Sequence, residues 1–232
     1  MINQPDFSDY VSKAGLFKGL EKDQYSEIFD KGHVHSYEAG ILVFCQGDPA
    51  LHCYLVITGH LKLSKLHEDG KEAIVRYIRS GEVTAAVSVF SGGDYPVTAQ
   101  AVGPVKAVAW DQETMLKLMT AHPRLAMNML HAAVERLDDL QSRYLELSVE
   151  RVERRIARAV LRIMKQSGRK TDEGILIDFR LSRQDLADYT GTTLYTVSRA
   201  LTRWEKKGWT ASGRERIVVT DPHALVAFAE AG

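Results

Sequence analysis

The amino-acid sequence predicts an α+β protein in three parts: an N-terminal β-roll, a long helix and a C-terminal winged helix-turn-helix. Short apolar segments separated by glycine turns predict the roll. A seven-residue apolar repeat follows and predicts the long helix. Two capped helical segments around Gly191 predict the helix-turn-helix. The expected parts are residues 1–112, 113–148 and 149–232.

The composition is typical of a globular protein in water, because 45% of the 232 residues are hydrophobic and 26% are charged. No apolar run approaches the roughly 20 residues of a membrane helix, and the first residues do not have the pattern of a signal peptide. Cys45 and Cys53 are the only cysteines, and their spacing is not that of a zinc site. We therefore expect a cytoplasmic protein with two free thiols and no membrane contact.

The net charge is zero, but the charges are unevenly distributed. Residues 150–232 hold 16 Lys and Arg against 11 Asp and Glu, and the rest of the chain is correspondingly acidic. A basic C-terminal third beside an acidic remainder is typical of a DNA-reading module joined to a different module.

The first part is predicted to begin with loose helix over residues 1–30 and a short apolar anchor at 15–20. Strands with turn residues between them are expected at 40–44, 54–58, 61–66, 73–78, 97–102 and 105–110. Gly59-His60 is expected to break the chain between two of them, and Asp69-Gly70 suits a hairpin turn. Ser91-Gly92-Gly93 could cradle an anion, although two adjacent glycines far more often form a plain turn.

The long helix is predicted from apolar residues that recur every seven positions in two offset series. The series are Ala126, Ala133, Leu140 and Leu147, and Leu130, Leu137 and Tyr144. Such positions are typical of a two-stranded parallel coiled coil, so we expect a homodimer through residues 124–147. The alternative is a long helix that packs on its own domain.

The third part is expected to contain an arginine-rich helix over 149–166, a linker over 168–174 and a short strand over 175–179. Ser182 is a plausible N-cap of the next helix, with Asp185 in the place of a capping-box acid. Gly191 suits the tight turn that follows, and Thr192 or Thr193 then caps a second helix.

This second helix is predicted to bury one face and to present the other to DNA. Val197, Leu201 and Trp204 are spaced by four and three and are expected to face inward. An outward Arg199 can fork onto guanine O6 and N7 in the major groove. The expected base-reading set is Thr193, Tyr195, Ser198 and Arg199, and the expected phosphate contacts are Arg183, Arg203, Lys206 and Arg214.

The C-terminal residues are predicted to complete a wing and a last helix. Residues 209–211 and 217–220 flank a turn at Ser212-Gly213-Arg214, which suits a β-hairpin. Asp221-Pro222 starts the last helix with proline at its first position.

Ordered landmarks accompany these three parts. They are Gly47, Gly59, Asp69-Gly70-Lys71, Gly81-Glu82, Phe90 and Val197-Ser198-Arg199. Together they resemble the CRP/FNR superfamily of bacterial transcription regulators over nearly the whole chain. The resemblance implies a cyclic-nucleotide-binding-like roll, a homodimer on palindromic double-stranded DNA, and RNA polymerase as a partner.

Two branches of that superfamily are disfavoured by particular residues. Ala86 stands where cyclic-AMP receptors carry a glutamate for the ribose, and Tyr95-Pro96 stands where they carry the Arg-Ser pair for the phosphate. A buried phosphodiester without its arginine would be an uncompensated charge, so we expect no cyclic AMP. Residues 1–40 contain no cysteine, which excludes the iron–sulfur cluster of FNR-type regulators.

The stretch from Asp94 to Val102 resembles the nitrogen-oxide regulators of the Dnr and NnrR branch, which is thought to sense nitric oxide, often through haem. No histidine lies beside Leu16-Phe17, where that branch offers one. His33 and His35 are the remaining weak candidates for a haem ligand. A sensing pocket is expected near the following residues: Val83, Ala86, Val87 and Tyr95. For Tyr95 the alternative is a buried tyrosine with a backbone partner.

The function expected from this resemblance is a homodimeric DNA-binding regulator that responds to nitric oxide or a related redox signal. FNR-type proteins read a TTGAT half-site with glutamate, serine and arginine; Ser198 and Arg199 match, and Tyr195 replaces the glutamate. A TTG-like half-site is therefore expected. The first alternative is a small organic effector or thiol oxidation at Cys45 as the trigger. An enzyme is not expected, because no Ser-His-Asp set, P-loop, HExxH or GxGxxG motif is present.

Overall fold

The computed structural model describes residues 14–231 and divides the chain into two compact units. The first runs up to Lys65 and resumes over Ile78–Leu140. The second combines Leu66–Tyr77 with the chain from Gln141 onward. No helix among the described residues is long and apolar enough to cross a membrane.

The first unit opens with a 3₁₀ turn at Gly15–Phe17 and helix α1 (Lys22–Asp30). The six-stranded sheet consists of β1 (His33–Tyr37), β2 (Leu42–Phe44), β3 (His52–Leu66), β4 (Glu72–Ile78), β5 (Val83–Thr84) and β6 (Thr98–Asp111), of which β4 is assigned to the second unit up to Tyr77. The sheet has the order β1-β6-β3-β4, with β2 paired to β6 and β5 paired to β3. The predicted β-roll is confirmed. Residues 1–13 of the predicted N-terminal helix lie outside the described residues.

Two predicted strand breaks were wrong, because β3 and β6 each continue through a glycine. Gly59 adopts a φ of +85°, and a Cβ there would lie 2.3 Å from the Pro104 carbonyl oxygen. The register against β6 shifts between Val56 and His60, so the expected break is a β-bulge inside one strand. Gly103, with a φ of +84°, lies within β6 in the same way.

The core of the first unit is anchored by Trp110 at the end of β6. Its indole Nε1 donates a 2.8 Å hydrogen bond to the Ile28 carbonyl oxygen, and both side chains are fully buried. This bond satisfies the one polar group of the indole and fixes α1 against the sheet.

Three helices accompany or follow the sheet. They are α2 (Ala86–Ser91), α3 (Gln112–Ala121) and α4 (Pro123–Val149). Asp111 caps α3 by accepting a 2.7 Å bond from the Thr114 amide, and this bond lowers the pKa of the Asp111 carboxyl. The Asn128 amide of α4 donates to the Leu16 and Lys18 carbonyls, which ties the start of α4 to the 3₁₀ turn.

The second unit contains four further helices and a four-stranded sheet of order β7-β8-β10-β9. Its elements are α5 (Val152–Ser167), β7 (Gly168–Thr171), β8 (Gly174–Ile177), α6 (Arg183–Thr190), α7 (Leu194–Lys206), β9 (Thr210–Gly213), β10 (Arg216–Val219) and α8 (Pro222–Glu230). The predicted linker over 168–174 was wrong, because its first residues pair with β8 as an exposed, polar edge strand. The predicted wing is confirmed by the β9–β10 pairing.

The predicted helix ends around the turn are confirmed. Ser182 caps α6 in a complete capping box with Asp185, and Gly191 ends that helix in the left-handed region at a φ of +62°. Thr193 rather than Thr192 caps α7, since its hydroxyl accepts from the Thr196 amide at 3.2 Å.

Candidate nucleic-acid interface

Helix α7 is held by one apolar face, as the sequence predicted. Val197, Leu201 and Trp204 are fully buried, and the Trp204 ring meets Phe228 of α8 edge-on at 5.9 Å. The opposite face of α7 is therefore fixed in its direction toward solvent.

The outer face of α7 is an open surface that carries polar and basic residues. These are Tyr195, Ser198, Arg199, Thr202, Arg203 and Lys206. Three of these six side chains are cations, and all of the six except Thr202 belong to the predicted base-reading and phosphate-contact sets. An exposed helix face of this composition suits the major groove of DNA.

Arg199 lies at the centre of this face and is exposed. Its guanidinium carbon lies 5.6 Å from the centroid of the Tyr195 ring, one turn earlier, which makes a cation–π contact. Over residues 14–231 neither Arg199 nor Lys206 has an acidic partner within 4.0 Å. Both charges are thus available to an anionic ligand.

Two other predicted phosphate-binding arginines lie in contacts within the second unit. Arg203 donates two hydrogen bonds, of 2.7 and 2.8 Å, to the Glu153 carboxylate of α5. Arg183 donates a 2.8 Å bond to the Ser212 hydroxyl of the wing and lies 3.7 Å from Glu205. A phosphate would compete with these partners for both side chains.

The sequence did not predict Glu153 as the partner of Arg203 or Glu205 as the partner of Arg183. Only Glu205 lies where the local sequence could have suggested an ion pair. Glu205 lies near Arg203 and Lys206 in the sequence, on the same basic helix. Glu153 is 50 residues from Arg203 and becomes its neighbour only through the packing of α5 and α7. Arg214 lies exposed in the wing turn, where the following Glu215 has a φ of +55°.

The residues predicted to line a sensing pocket lie in the first unit. Tyr95 is 5% exposed; its hydroxyl donates a 2.9 Å bond to the His52 carbonyl and accepts a 3.0 Å bond from the His52 amide. Its ring stacks on Phe44 at 4.1 Å. The geometry is that of a buried tyrosine with backbone partners, which was the alternative considered for it.

The other predicted pocket residues surround the start of α2. Val83 belongs to β5, Ala86 opens α2, and Val87 is 70% exposed. Ala85, just before the helix, adopts the left-handed region at a φ of +66°. No lysine or arginine occurs between Arg79 and Lys106, so this segment supplies no cation of its own.

The apolar repeat of α4 lies on an exposed stripe. Of the predicted dimer positions, the exposed ones are Leu130, Leu137, Leu140, Tyr144 and Leu147, while Ala126 and Ala133 are half-buried. Met127 and Val134 are exposed on the same helix and were not predicted. Their spacing of three to Leu130 and to Leu137 is a signal that a strict seven-residue series overlooks.

The weak haem candidates and the cysteines lie in the first unit. His33 and His35 are exposed on β1, a strand at one end of the sheet order, and the His35 ring stacks on the Tyr37 ring with 6.1 Å between centroids. Cys53 is fully buried, and Cys45 is half-buried. Among the described residues no three His, Cys, Asp or Glu side chains group as a metal site.

Two known domain families match this chain. The cyclic nucleotide-binding domain family matches residues 34–122, and the Crp-like helix-turn-helix domain family matches residues 154–228. The global nitrogen regulator of Synechococcus elongatus is 31% identical over 194 residues, which cover 83% of this chain and 87% of that protein. The chain belongs to the CRP/FNR family of transcription regulators.

Other relatives agree with this assignment over most of the chain. A CRP-like cAMP-activated global transcriptional regulator of Mycobacterium tuberculosis is 21% identical over 94% of this chain and 97% of its own length. The structure of FixK2 from Bradyrhizobium japonicum has a TM-score of 0.74 at 24% identity, covering 84% of this chain and 96% of that one. The predicted fold and the predicted class of DNA-binding transcription regulator are confirmed, and the relatives are regulators rather than enzymes.

Proposed function

We propose that this CRP/FNR regulator acts as a homodimer on palindromic DNA with TTG-like half-sites and controls transcription in response to nitric oxide or a related redox signal. RNA polymerase is its partner at the promoter. The observation that carries the proposal is the outer face of α7, where Arg199 and Lys206 are exposed and no acidic side chain among residues 14–231 neutralises them.

Base reading is assigned to Arg199, with tuning by its neighbours. A guanidinium can donate two hydrogen bonds to guanine O6 and N7, and the Tyr195 ring limits the positions that Arg199 samples. Tyr195 carries no carboxylate that could accept from cytosine N4, so the adjacent base pair is read differently from an FNR-type site. Lys206 and Arg214 contact phosphates, and Arg183 and Arg203 join them by exchanging Ser212 and Glu153 for phosphate oxygens.

The homodimer is supported by the exposed stripe of α4. Leucines and a tyrosine at heptad spacing are left in solvent in a single chain, and a second copy of the same helix is complementary to such a stripe. Two copies related by a twofold axis would present two recognition helices, which is why the DNA site is a palindrome.

A neutral signal is supported by the composition around α2. An anionic cyclic nucleotide buried there would meet no lysine or arginine from residues 80–105. We therefore propose that cyclic AMP is not the effector and that no iron–sulfur cluster is bound. Haem remains a proposed cofactor, and neither His33 nor His35 is assigned as its ligand.

One experiment tests the signal and the DNA site together. Binding to a palindromic TTG-containing duplex is measured by fluorescence anisotropy with and without haem, and with and without nitric oxide, beside absorption spectra of each sample. The expected result is a Soret band after haem addition and a change in DNA affinity on adding nitric oxide. If nitric oxide changes the DNA affinity of neither the haem-free nor the haem-loaded protein, the proposed signal is wrong, while the proposed DNA site is unaffected. Calorimetry that gives micromolar affinity for cyclic AMP would contradict the neutral effector.

A second candidate trigger is thiol oxidation or a small organic effector. The observation that favours a thiol is the partial exposure of Cys45, which lies directly after β2. The Cys45→Ser variant decides this candidate: if peroxide alters DNA binding of the wild-type protein and not of the variant, the trigger is Cys45.

A further inference from the structure

The hairpin at Leu66–Tyr77 belongs to the second unit, although it contains the end of β3 and most of β4, which are strands of the six-stranded sheet. Tyr77, at its end, is buried and contacts two aromatic rings of the helix-turn-helix region. Its ring centroid lies 4.7 Å from that of Phe179 and 6.0 Å from that of Tyr189 in α6. The hairpin is therefore in aromatic contact with the first helix of the helix-turn-helix.

Arg143 of α4 joins the hairpin to that helix. Its Nη1 donates a hydrogen bond to the Val75 carbonyl of β4, and its Nη2 donates a 3.1 Å bond to the Tyr189 carbonyl. The guanidinium carbon also lies 4.3 Å above the centroid of the Tyr189 ring. One half-buried side chain thus contacts the hairpin backbone, the end of α6 and the aromatic ring between them.

Arg143 and Arg155 donate to the last two carbonyls of α6, those of Tyr189 and Thr190. The last carbonyls of a helix lack intrahelical partners and carry the negative end of its dipole, so cations there are stabilising. Arg155 of α5 reaches the next carbonyl, that of Thr190, at 3.4 Å. Gly191 follows at once, and α7 begins three residues later. The position of the Tyr189–Thr190 end therefore sets where the recognition helix starts.

Arginine is the side chain suited to this arrangement. Its planar guanidinium presents donors in a fixed fork, while its face stacks on an aromatic ring. A lysine ammonium carries the same charge on a single nitrogen, so it cannot keep the fork and the stacking contact together. Replacing Arg143 by lysine therefore keeps the positive charge and removes the planar fork, so the two contributions can be tested separately.

We propose that Arg143 is a positioning residue for DNA recognition, which fixes the end of α6 against the hairpin and so sets the pose of α7. A shift of the hairpin changes the recognition helix through this side chain. The inference rests on DNA reading by α7, and its first test needs no DNA.

The first test is hydrogen exchange of the full-length protein, comparing Arg143→Ala with Arg158→Ala. Arg158 is the matched control, because its guanidinium bonds to the Glu150 carboxylate and the Ala229 carbonyl, and neither of these partners belongs to α6. We expect faster exchange in both the hairpin (residues 72–77) and α6 (residues 183–190) of Arg143→Ala, and in neither segment of the control. Faster exchange in only one of the two segments would overturn the proposal.

The second test is DNA binding by Arg143→Ala and Arg143→Lys on a specific palindrome and a scrambled duplex. A lost positioning contact should weaken specific binding by about tenfold and leave scrambled binding and the salt slope nearly unchanged, since no phosphate contact is removed. Equal losses on both duplexes, with a lower salt slope, would make Arg143 a phosphate contact and contradict the proposal. Full rescue by Arg143→Lys would contradict it as well.

Tyr77→Leu serves as a second variant on the hairpin side and leaves Arg143 intact. We expect it to speed exchange in α6, because the aromatic contact to Tyr189 is lost. Unchanged exchange in α6 would show that the hairpin does not act on the helix. If the wild-type protein fails to bind the palindrome, the proposed DNA site is wrong, whereas the exchange results still decide the role of Arg143.

Discussion

The outer face of α7 and the surroundings of Tyr95 are built on opposite principles. On α7, Arg199 and Lys206 are exposed and lack an acidic partner anywhere in residues 14–231. In the first unit, the Tyr95 hydroxyl both donates to and accepts from the backbone of His52, and the ring stacks on Phe44. One region keeps its polar groups available to a partner, and the other satisfies them internally.

The contrast shows which polar residues can be assigned to binding by inspection. A buried polar group is nearly always paired, so pairing at Tyr95 is the ordinary state of a core. Exposed cations gathered on one helix face, held there by a buried opposite face, are more informative because nothing in folding requires them. The following experiments test this distinction, from the largest expected effect to the smallest.

The largest effect is expected from replacing Leu137 and Leu140 together by glutamate. Four negative charges in a dimer would face one another across the proposed coiled coil, so we expect monomers that no longer bind the palindrome. Sedimentation velocity gives the oligomeric state, and fluorescence anisotropy gives the DNA affinity.

The control for this change is a double replacement of apolar residues that are exposed elsewhere. Leu116→Glu with Leu51→Glu adds the same charge outside the stripe, since both side chains are exposed and neither lies on α4. A dimer that survives the stripe change, or monomers produced by the control as well, would place the interface elsewhere.

The helix-turn-helix could be predicted from sequence almost residue by residue, because its signals are local. The Ser182 capping box, the left-handed Gly191 and the Thr193 cap each depend on residues within four positions. The bulge at Gly59 could not be predicted, since it depends on the Pro104 carbonyl across the sheet. The same limit hid the Arg203–Glu153 pair and the contacts of Arg143, whose partners are distant in sequence.

The next largest effect is expected from Arg199→Ala on a TTG-containing palindrome. A bidentate guanine contact contributes roughly 1–3 kcal/mol, and a symmetric dimer loses it twice, so specific binding should weaken by about 2–6 kcal/mol. Anisotropy titrations on the palindrome and on a scrambled duplex measure the difference.

Lys206→Ala is the matched variant, because it removes the same charge from the same helix face. It should weaken both duplexes alike and lower the salt slope by about one per subunit. If the two variants lose equal affinity on both duplexes, Arg199 is only a further backbone contact.

A smaller effect is expected from Tyr95→Phe in the first unit. The change leaves the amide and carbonyl of His52 without their partner, so the free energy of unfolding should fall by about 1–3 kcal/mol in urea denaturation. If transcription in the variant loses its nitric oxide response while the free energy of unfolding is unchanged, Tyr95 has a role in sensing. The contrast drawn between Tyr95 and the exposed face of α7 would then be wrong.

Ser182→Ala should have an effect of about 1 kcal/mol, because it removes the N-cap of α6. Both bonds of the Ser182 hydroxyl, to the Asp185 amide and carboxylate, disappear. Urea denaturation measures the loss, and Ser182→Thr is the control that keeps a capping hydroxyl. Equal stability of the alanine and threonine variants would mean that the cap contributes nothing.

The smallest effect concerns the two thiols and needs no substitution. Burial raises the pKa of the Cys53 thiol to about 12, and its Sγ lies 3.6 Å from the Trp110 carbonyl oxygen. At pH 8 the Cys53 thiol is therefore protonated and unreactive, and the side chain is fully buried besides. Iodoacetamide followed by mass spectrometry should therefore label Cys45 and leave Cys53 unmodified until urea unfolds the protein.

Because the folded state holds the Cys53 proton more tightly, the free energy of unfolding should be undiminished below the ordinary thiol pKa of about 8.5 and should fall as the pH rises above it. Rapid labelling of Cys53 in the folded protein would show that the first unit opens readily, and its interior would then be as accessible to a small effector as the face of α7 is to DNA.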